Sequence, residues 1–251
     1  MDEGINRFTA RDGVELAYHV WGAGRPLVLL HGFLSSATMA WKRSRHVERL
    51  NEAGFAVIAP DLRAHGRSEA PTDPDRYGAD VLPHDGLDLL DHLGLDDYDL
   101  GGYSIGARTV ARMMTLGATP RRAVLAGTSY RGVIANTPPD TWFHRLFAGY
   151  PDHEKGSEFW RIQQYLVRID ADVVALERVL DSPTATDPDE LAAITVPIRV
   201  VVGEDDHHRA SAGELVDHLP NADLAVIPGD HTSAPSRRTF AAELVDHLTT
   251  S

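Results

Sequence analysis

Tyr98-Asp99-Leu100-Gly101-Gly102-Tyr103-Ser104-Ile105-Gly106-Ala107-Arg108-Thr109-Val110-Ala111-Arg112-Met113 is the stretch on which the reading of this chain turns. Gly102-Tyr103-Ser104-Ile105-Gly106 fits the pattern G-x-S-x-G, in which a serine sits in a strained strand-to-helix turn and the flanking glycines let the two backbones pass closely. The bare pattern recurs in ordinary loops, so its surroundings decide. Upstream, Tyr98 to Leu100 reads as a short strand. Downstream, Ile105, Val110, Ala111, Met113, Met114 and Leu116 recur at roughly helical spacing. The strand, turn and helix that the pattern requires are all there, with Ser104 at the junction.

Outward from this unit, strand and helix alternate. Pro26 to Leu30 and Phe55 to Ala59 are continuous apolar runs of the kind buried on both faces of a sheet, and the first ends at His31-Gly32-Phe33. The spacing predicts helices over Met39–Ala53, Val81–Leu93 and Phe240–Leu248. It predicts further strands over Ala123–Gly127, Ile198–Gly203 and Leu224–Ile227. Near the start, Phe8 to Val20 reads as a hairpin turned at Arg11-Asp12-Gly13. Repeated alternation argues for an α/β fold with a mostly parallel central sheet flanked by helices.

Residues 130 to 194 interrupt the alternation. They carry Trp142, Phe143, Phe147, Tyr150, Phe159, Trp160 and Tyr165, then Val173, Leu176 and Leu180 at helical spacing, and no convincing buried strand. We read them as a small helical cap inserted between two late strands. Residues 1–129 and 195–251 then form the core domain.

Among 251 residues, 24 are basic and 37 acidic, for a formal charge of −13, which repels nucleic acid and anionic membrane surfaces at long range. No apolar run approaches the roughly 20 residues of a membrane-spanning helix. Residues 1–7 lack the apolar core of an export signal, so the expected compartment is the cytoplasm. The absence of cysteine excludes disulfides and a thiolate nucleophile. Of 13 histidines, His92, His218 and His247 close three similar helix ends, where the negative end of the helix dipole favours them structurally.

A serine hydroxyl needs a base within hydrogen-bond reach, and the base needs an acid to fix its tautomer. Two segments that follow predicted strands offer them: Glu204-Asp205-Asp206 and Gly229-Asp230-His231. In parallel sheets such loops gather at the carboxyl ends of the strands. The chain order Ser…Asp…His is the order found in α/β-hydrolases. With His31-Gly32-Phe33 and Asp61-Leu62-Arg63-Ala64-His65-Gly66-Arg67-Ser68 also falling in that family's order, the chain resembles the α/β-hydrolase superfamily over nearly its whole length apart from the insertion.

The resemblance implies Ser104 as nucleophile, His231 as general base and then acid, and Asp206 as the residue orienting His231, with Asp205 as its rival. It implies an oxyanion hole from the backbone N–H groups of Phe33 and Ile105. His65 and Ser68 fall in a segment that is mainly architectural in the family. The chain departs from the family in lacking a proline soon after the acid, where His207-His208-Arg209 stands, and in carrying Asp230 before the histidine where glycine is usual. His207-His208 reads as a solvated loop, since adjacent residues seldom both reach one ion.

The expected activity is metal-independent, cofactor-free hydrolysis of a carboxylic ester or lactone of a small, largely apolar molecule through an acyl-serine. C–C bond hydrolysis, acyl transfer and perhydrolysis use the same triad and stay open, as does a ligand-binding receptor on this fold with little turnover. A serine at the elbow argues against the aspartate-nucleophile relatives. A nucleotide-binding Rossmann protein fits poorly, because His31-Gly32-Phe33 stands where the glycine fingerprint would be. Oligomeric state has no signature in the chain.

Overall fold

The computed structural model describes residues 5–250. The chain runs β1 (Ile5–Thr9), β2 (Glu15–Trp21), β3 (Arg25–Leu30), α1 (His46–Glu52), β4 (Phe55–Pro60), α2 (Val81–Leu93), β5 (Asp99–Tyr103), α3 (Ile105–Thr115) and β6 (Ala123–Ala126). Five helices follow: α4 (Tyr130–Ile134), α5 (Trp142–Ala148), α6 (Glu158–Arg168), α7 (Val173–Asp181) and α8 (Pro188–Ala192). It then closes with β7 (Ile198–Gly203), α9 (Arg209–Asp217), β8 (Ala222–Ile227) and α10 (Arg238–Thr249).

The strands make one eight-stranded sheet in the order β1-β2-β4-β3-β5-β6-β7-β8. β2 pairs antiparallel with β1 and β4, and every other pairing is parallel. This is the mostly parallel sheet that the alternation of elements predicts, in the α/β-hydrolase fold that the resemblance implies. The hairpin turns at Gly13, whose φ of 89° only glycine adopts freely.

Side-chain alternation along the central strands separates two cores. Val28 and Leu30 of β3 enter the core on one face with Leu89, Val110 and Met113. Leu27 and Leu29 enter the other with Trp41, Leu50 and Phe240. A strand that must fill both cores has no polar face, which is why Leu27–Leu30 of β3, Phe55–Pro60 of β4 and Val200–Val202 of β7 are unbroken apolar runs. β8 lies at the sheet edge, and its Val226 is exposed.

The single helix expected over Met39–Ala53 is not formed. One π-helical turn covers Thr38–Lys42, Arg45 takes a left-handed φ of 63°, and α1 begins only at His46. Trp41 and His46 are both buried against Phe240 of α10, with ring centroids 6.3 and 5.3 Å away. Five residues apart on one straight helix they would point about 140° from each other. The wider turn and the left-handed residue bring both to the same neighbour.

Beneath the carboxyl end of β4, Arg63 ties three elements. It donates to Asp85 of α2 at 2.7 and 3.0 Å, to Asp12 of the β1–β2 turn at 2.6 and 3.0 Å, and to the Arg76 carbonyl at 2.8 Å. Burial pushes the Asp85 carboxyl up to about 6, yet the fork of guanidinium donors keeps it a carboxylate at neutral pH. No helix among the described residues is long and apolar enough to cross a membrane.

Candidate active site

Ser104 stands between the end of β5 and the start of α3 with φ 56° and ψ −117°, a conformation that costs a non-glycine residue about 1–3 kcal/mol and persists only where the surroundings enforce it. The two glycines of the motif supply that enforcement. A Cβ on Gly102 would lie 2.4 Å from the Gly106 backbone, and one on Gly106 would lie 2.4 Å from the Leu30 carbonyl oxygen. Strand, helix and β3 therefore meet at closer range than any side chain allows, and the serine is turned out of the sheet.

His231, in the loop after β8, presents Nε2 to Ser104 Oγ at 3.1 Å. Its Nδ1–H donates to Asp206 Oδ2 at 2.9 Å, and Asp206 lies in the loop after β7 with its side chain wholly buried. Burial opposes ionisation of Asp206, but hydrogen bonds from His231 and from the His208 backbone N–H outweigh it and hold the carboxyl below its usual range. Ser104, Asp206 and His231 thus converge as the chain order suggested. Asp205 is exposed and takes no part in this contact.

The loop after β3 lies beside the serine: a Cβ on Gly32 would stand 3.6 Å from Ser104 Cβ. The N–H groups of Phe33 and of Ile105, the first residue of α3, have no hydrogen-bond partner among the described residues. Two histidines brace this loop from below. Leu62 N–H donates to His31 Nε2 at 3.0 Å, and Leu34 N–H donates to His65 Nε2 at 3.2 Å. Their Nδ1–H groups donate to the carbonyls of Gly32 and Arg63. Burial lowers both, His65 to about 3, so each stays neutral with one nitrogen free to accept. His65 therefore supports Leu34 without reaching the serine. Ser68 is likewise spent on backbone, donating to the Asp61 carbonyl and accepting from Ala17 N–H.

Three supports escaped the sequence reading. Tyr103, inside the motif, donates its hydroxyl to the His231 carbonyl at 2.7 Å and so ties the elbow to the histidine loop. Tyr165 of α6 donates to the Leu34 carbonyl at 2.7 Å, and Phe143 of α5 packs edge-on against Phe33 with centroids 5.0 Å apart. These contacts join the inserted helices to the loop beside Ser104. Their only signal was the aromatic content of 142–165, which cannot say what each ring faces.

One reading of the sequence is corrected. His207-His208 is not a solvated loop throughout: His207 is exposed, but His208 is half-buried and its Nδ1 lies 2.9 Å from Ser129 Oγ. Burial lowers the His208 imidazole to about 4, so it is neutral. The rings of His207 and His208 lie 4.2 Å apart and 4.9 and 5.4 Å from His231. The donor atoms of Asp206, His207, His208 and His231 all fall within 4.8 Å of one another. The other departure has a plain structural use. Asp230 Oδ1 accepts from the N–H and hydroxyl groups of both Thr232 and Ser233, fixing the turn that carries His231.

His92, His218 and His247 lie outside the cluster. His92 packs beside Phe8 and Tyr18, His218 stacks on Tyr130 at 4.0 Å, and His247 faces the Pro197 carbonyl. Two small cavities of about 10 Å³ each lie elsewhere, one lined by Phe8, Leu16 and Arg63 and the other by Ile105, Arg108 and Val179. Each has room for about one water, and neither includes Ser104 in its lining.

Comparison with known proteins bears on the family and the fold. The family model of the alpha/beta hydrolase fold matches residues 25–144. A non-heme haloperoxidase of Rhodococcus erythropolis is 30% identical over 88% of this chain and 90% of its own length. The non-heme chloroperoxidase CPO-A1 of Kitasatospora aureofaciens is 29% identical over the same shares. Among solved structures, the enol-lactonase from Burkholderia xenovorans superposes with a TM-score of 0.75 at 25% identity, covering 98% of this chain and 100% of that one. From the strained serine after β5 to these full-length likenesses, the observations agree, and the chain belongs to the alpha/beta hydrolase fold family.

Proposed function

We propose that this protein is a serine hydrolase that cleaves a carboxylic ester or lactone through an acyl-serine intermediate. The reading is carried by the relay in which Ser104 Oγ faces His231 Nε2 at 3.1 Å while His231 Nδ1 faces Asp206 at 2.9 Å. Ser104 Oγ attacks the carbonyl carbon as its proton passes to His231 Nε2, and Asp206 holds the tautomer that leaves Nε2 free. The oxyanion forms against the N–H groups of Phe33 and Ile105, where the N-terminus of α3 adds its dipole. His231 then returns the proton to the leaving alkoxide. Water, deprotonated by His231, attacks the acyl carbon and frees Ser104.

The helices of residues 130–194 act as the cap over this site, and the half-buried Phe33 and Phe143 offer an apolar surface suited to an acyl or alcohol group of modest size. Similarity to the enol-lactonase favours a lactone or enol ester among the candidates.

Hydrolysis of short-chain nitrophenyl esters tests the reading, with wild type compared with Ser104→Ala at equal folded concentration. Loss of a triad nucleophile lowers kcat by up to roughly 10⁶, so the variant should fall to the assay floor. Equal rates in the two proteins overturn the assignment.

A second reading rests on the haloperoxidase relatives, which cover 88% of the chain. If hydrogen peroxide instead of water attacks the acyl-serine, the products are a percarboxylic acid and free Ser104, and the peracid can oxidise halide. Peroxide- and carboxylate-dependent bromination of a dye, lost in Ser104→Ala, is the outcome this reading requires.

A further inference from the structure

We propose that Asp206, His207, His208 and His231 form a binding site for a divalent transition ion of the zinc class, and that its occupancy takes the acid and the base away from Ser104. Three imidazoles and one carboxylate are the donor set that suits zinc. Here they gather at a single buried carboxylate, with one donor atom from each residue within 4.8 Å of the others.

Tetrahedral coordination at bonds of about 2.0–2.1 Å sets donor atoms about 3.3–3.4 Å apart. Asp206 Oδ1 to His207 Nδ1 is already 3.3 Å, and Asp206 Oδ2 to His231 Nδ1 is 2.9 Å. The His207 side chain is 69% exposed, so it can swing to complete the set and it leaves an open path from solvent. His208 is held by Ser129, which makes it the fourth donor at the cost of that hydrogen bond, or leaves its place to a water. The formal charge of −13 raises the local concentration of cations around the chain.

The consequence follows from shared atoms. An ion on Asp206 and His231 takes the Nδ1 lone pair, so the single imidazole proton passes from Nδ1 to Nε2; Nε2 is then an N–H donor facing Ser104, and Ser104 has no acceptor for its proton. Metal and substrate chemistry then exclude each other, and a chelator restores activity. The inhibitory half rests on the serine-hydrolase reading, whereas the ion site does not.

The test is calorimetric titration of untagged protein with zinc chloride at neutral pH, on wild type, His207→Ala and Asp206→Asn, alongside nitrophenyl ester turnover with and without chelator. The expected result is one ion bound per chain in wild type. Binding should be weakened by about tenfold or more in His207→Ala, since even outer partners of metal ligands are worth about that much. His207→Ala should keep its turnover and lose its sensitivity to zinc. No saturable binding, or an isotherm unchanged by His207→Ala, overturns the site. One bound ion with unaffected turnover overturns the inhibition. A wild type without turnover counts against the hydrolase reading, and the isotherms still decide the ion site.

Discussion

Replacing Gly106 by alanine tests the claim that the elbow is built by backbone contact. The added methyl would lie 2.4 Å from the Leu30 carbonyl oxygen and 2.7 Å from the Leu30 carbonyl carbon and His31 oxygen. Ordinary contact begins near 3.4 Å, so α3 must retreat from β3 by about 1 Å; β3, paired on both sides, cannot yield. Overpacking of this kind costs about 1–3 kcal/mol, which for a chain of this size lowers Tm by about 2–12 °C. Ser104 caps α3 and would move with it, stretching a 3.1 Å contact to His231 beyond hydrogen-bond range. A misplacement of about 1 Å is worth about 10²-fold in rate. Gly213 supplies the control, since it lies inside α9 with nothing within 4 Å of its added Cβ. Gly213→Ala should stabilise by about 0.5–1 kcal/mol through helix propensity alone and leave turnover untouched. Thermal unfolding and ester hydrolysis are measured on both variants. A Gly106→Ala protein with wild-type Tm and wild-type turnover would refute the close-contact argument.

Asp206→Asn should lower kcat by about 10⁴-fold by releasing the wrong His231 tautomer, while Asp205→Asn stays at the wild-type rate; the reverse ranking would make Asp205 the acid. Arg63→Met leaves Asp85 buried without its cation and should cost about 3–5 kcal/mol in urea denaturation, with a loss below about 1 kcal/mol counting against the fork as an anchor. His65 has its folded value lowered from 6.5 to about 3, so its contribution is complete above pH 6.5 and declines as pH falls towards 3. At pH 5.5 the loss amounts to about 1 kcal/mol. His65→Gln should therefore be less stable than wild type at neutral pH but show a shallower decline between pH 7.5 and 5.5, and parallel declines would remove His65 as a source of acid sensitivity.

The order of elements and the meeting of Ser104, Asp206 and His231 were legible because they depend on local patterns. Apolar runs mark strands buried on both faces, and glycines mark backbone contact. Functional groups placed just past strand ends converge in any parallel sheet. Even Asp206 over Asp205 was reached through resemblance alone, since both stand after the same strand, and burial is what separates them: Asp206 is inside and Asp205 is exposed. The long helix expected over residues 39–53 failed because periodicity counts apolar positions without knowing their neighbour. Trp41 and His46 share Phe240, nearly 200 residues away in the chain.

By itself, then, the sequence determined a mostly parallel sheet covered by helices, with Ser104, an aspartate pair and His231 placed just past strand ends, because each follows from a period, a turn or a chain order read within a few residues; the choice of Asp206 came from the family resemblance. The tertiary structure alone decided which side chains brace those groups. Tyr103 holds the His231 loop, Tyr165 and His65 hold the carbonyl and the N–H of Leu34, and Ser129 meets the His208 ring. Such contacts join residues up to 131 positions apart. A hydrogen bond depends on the last ångström of approach between surfaces, and no local pattern in the chain encodes that distance.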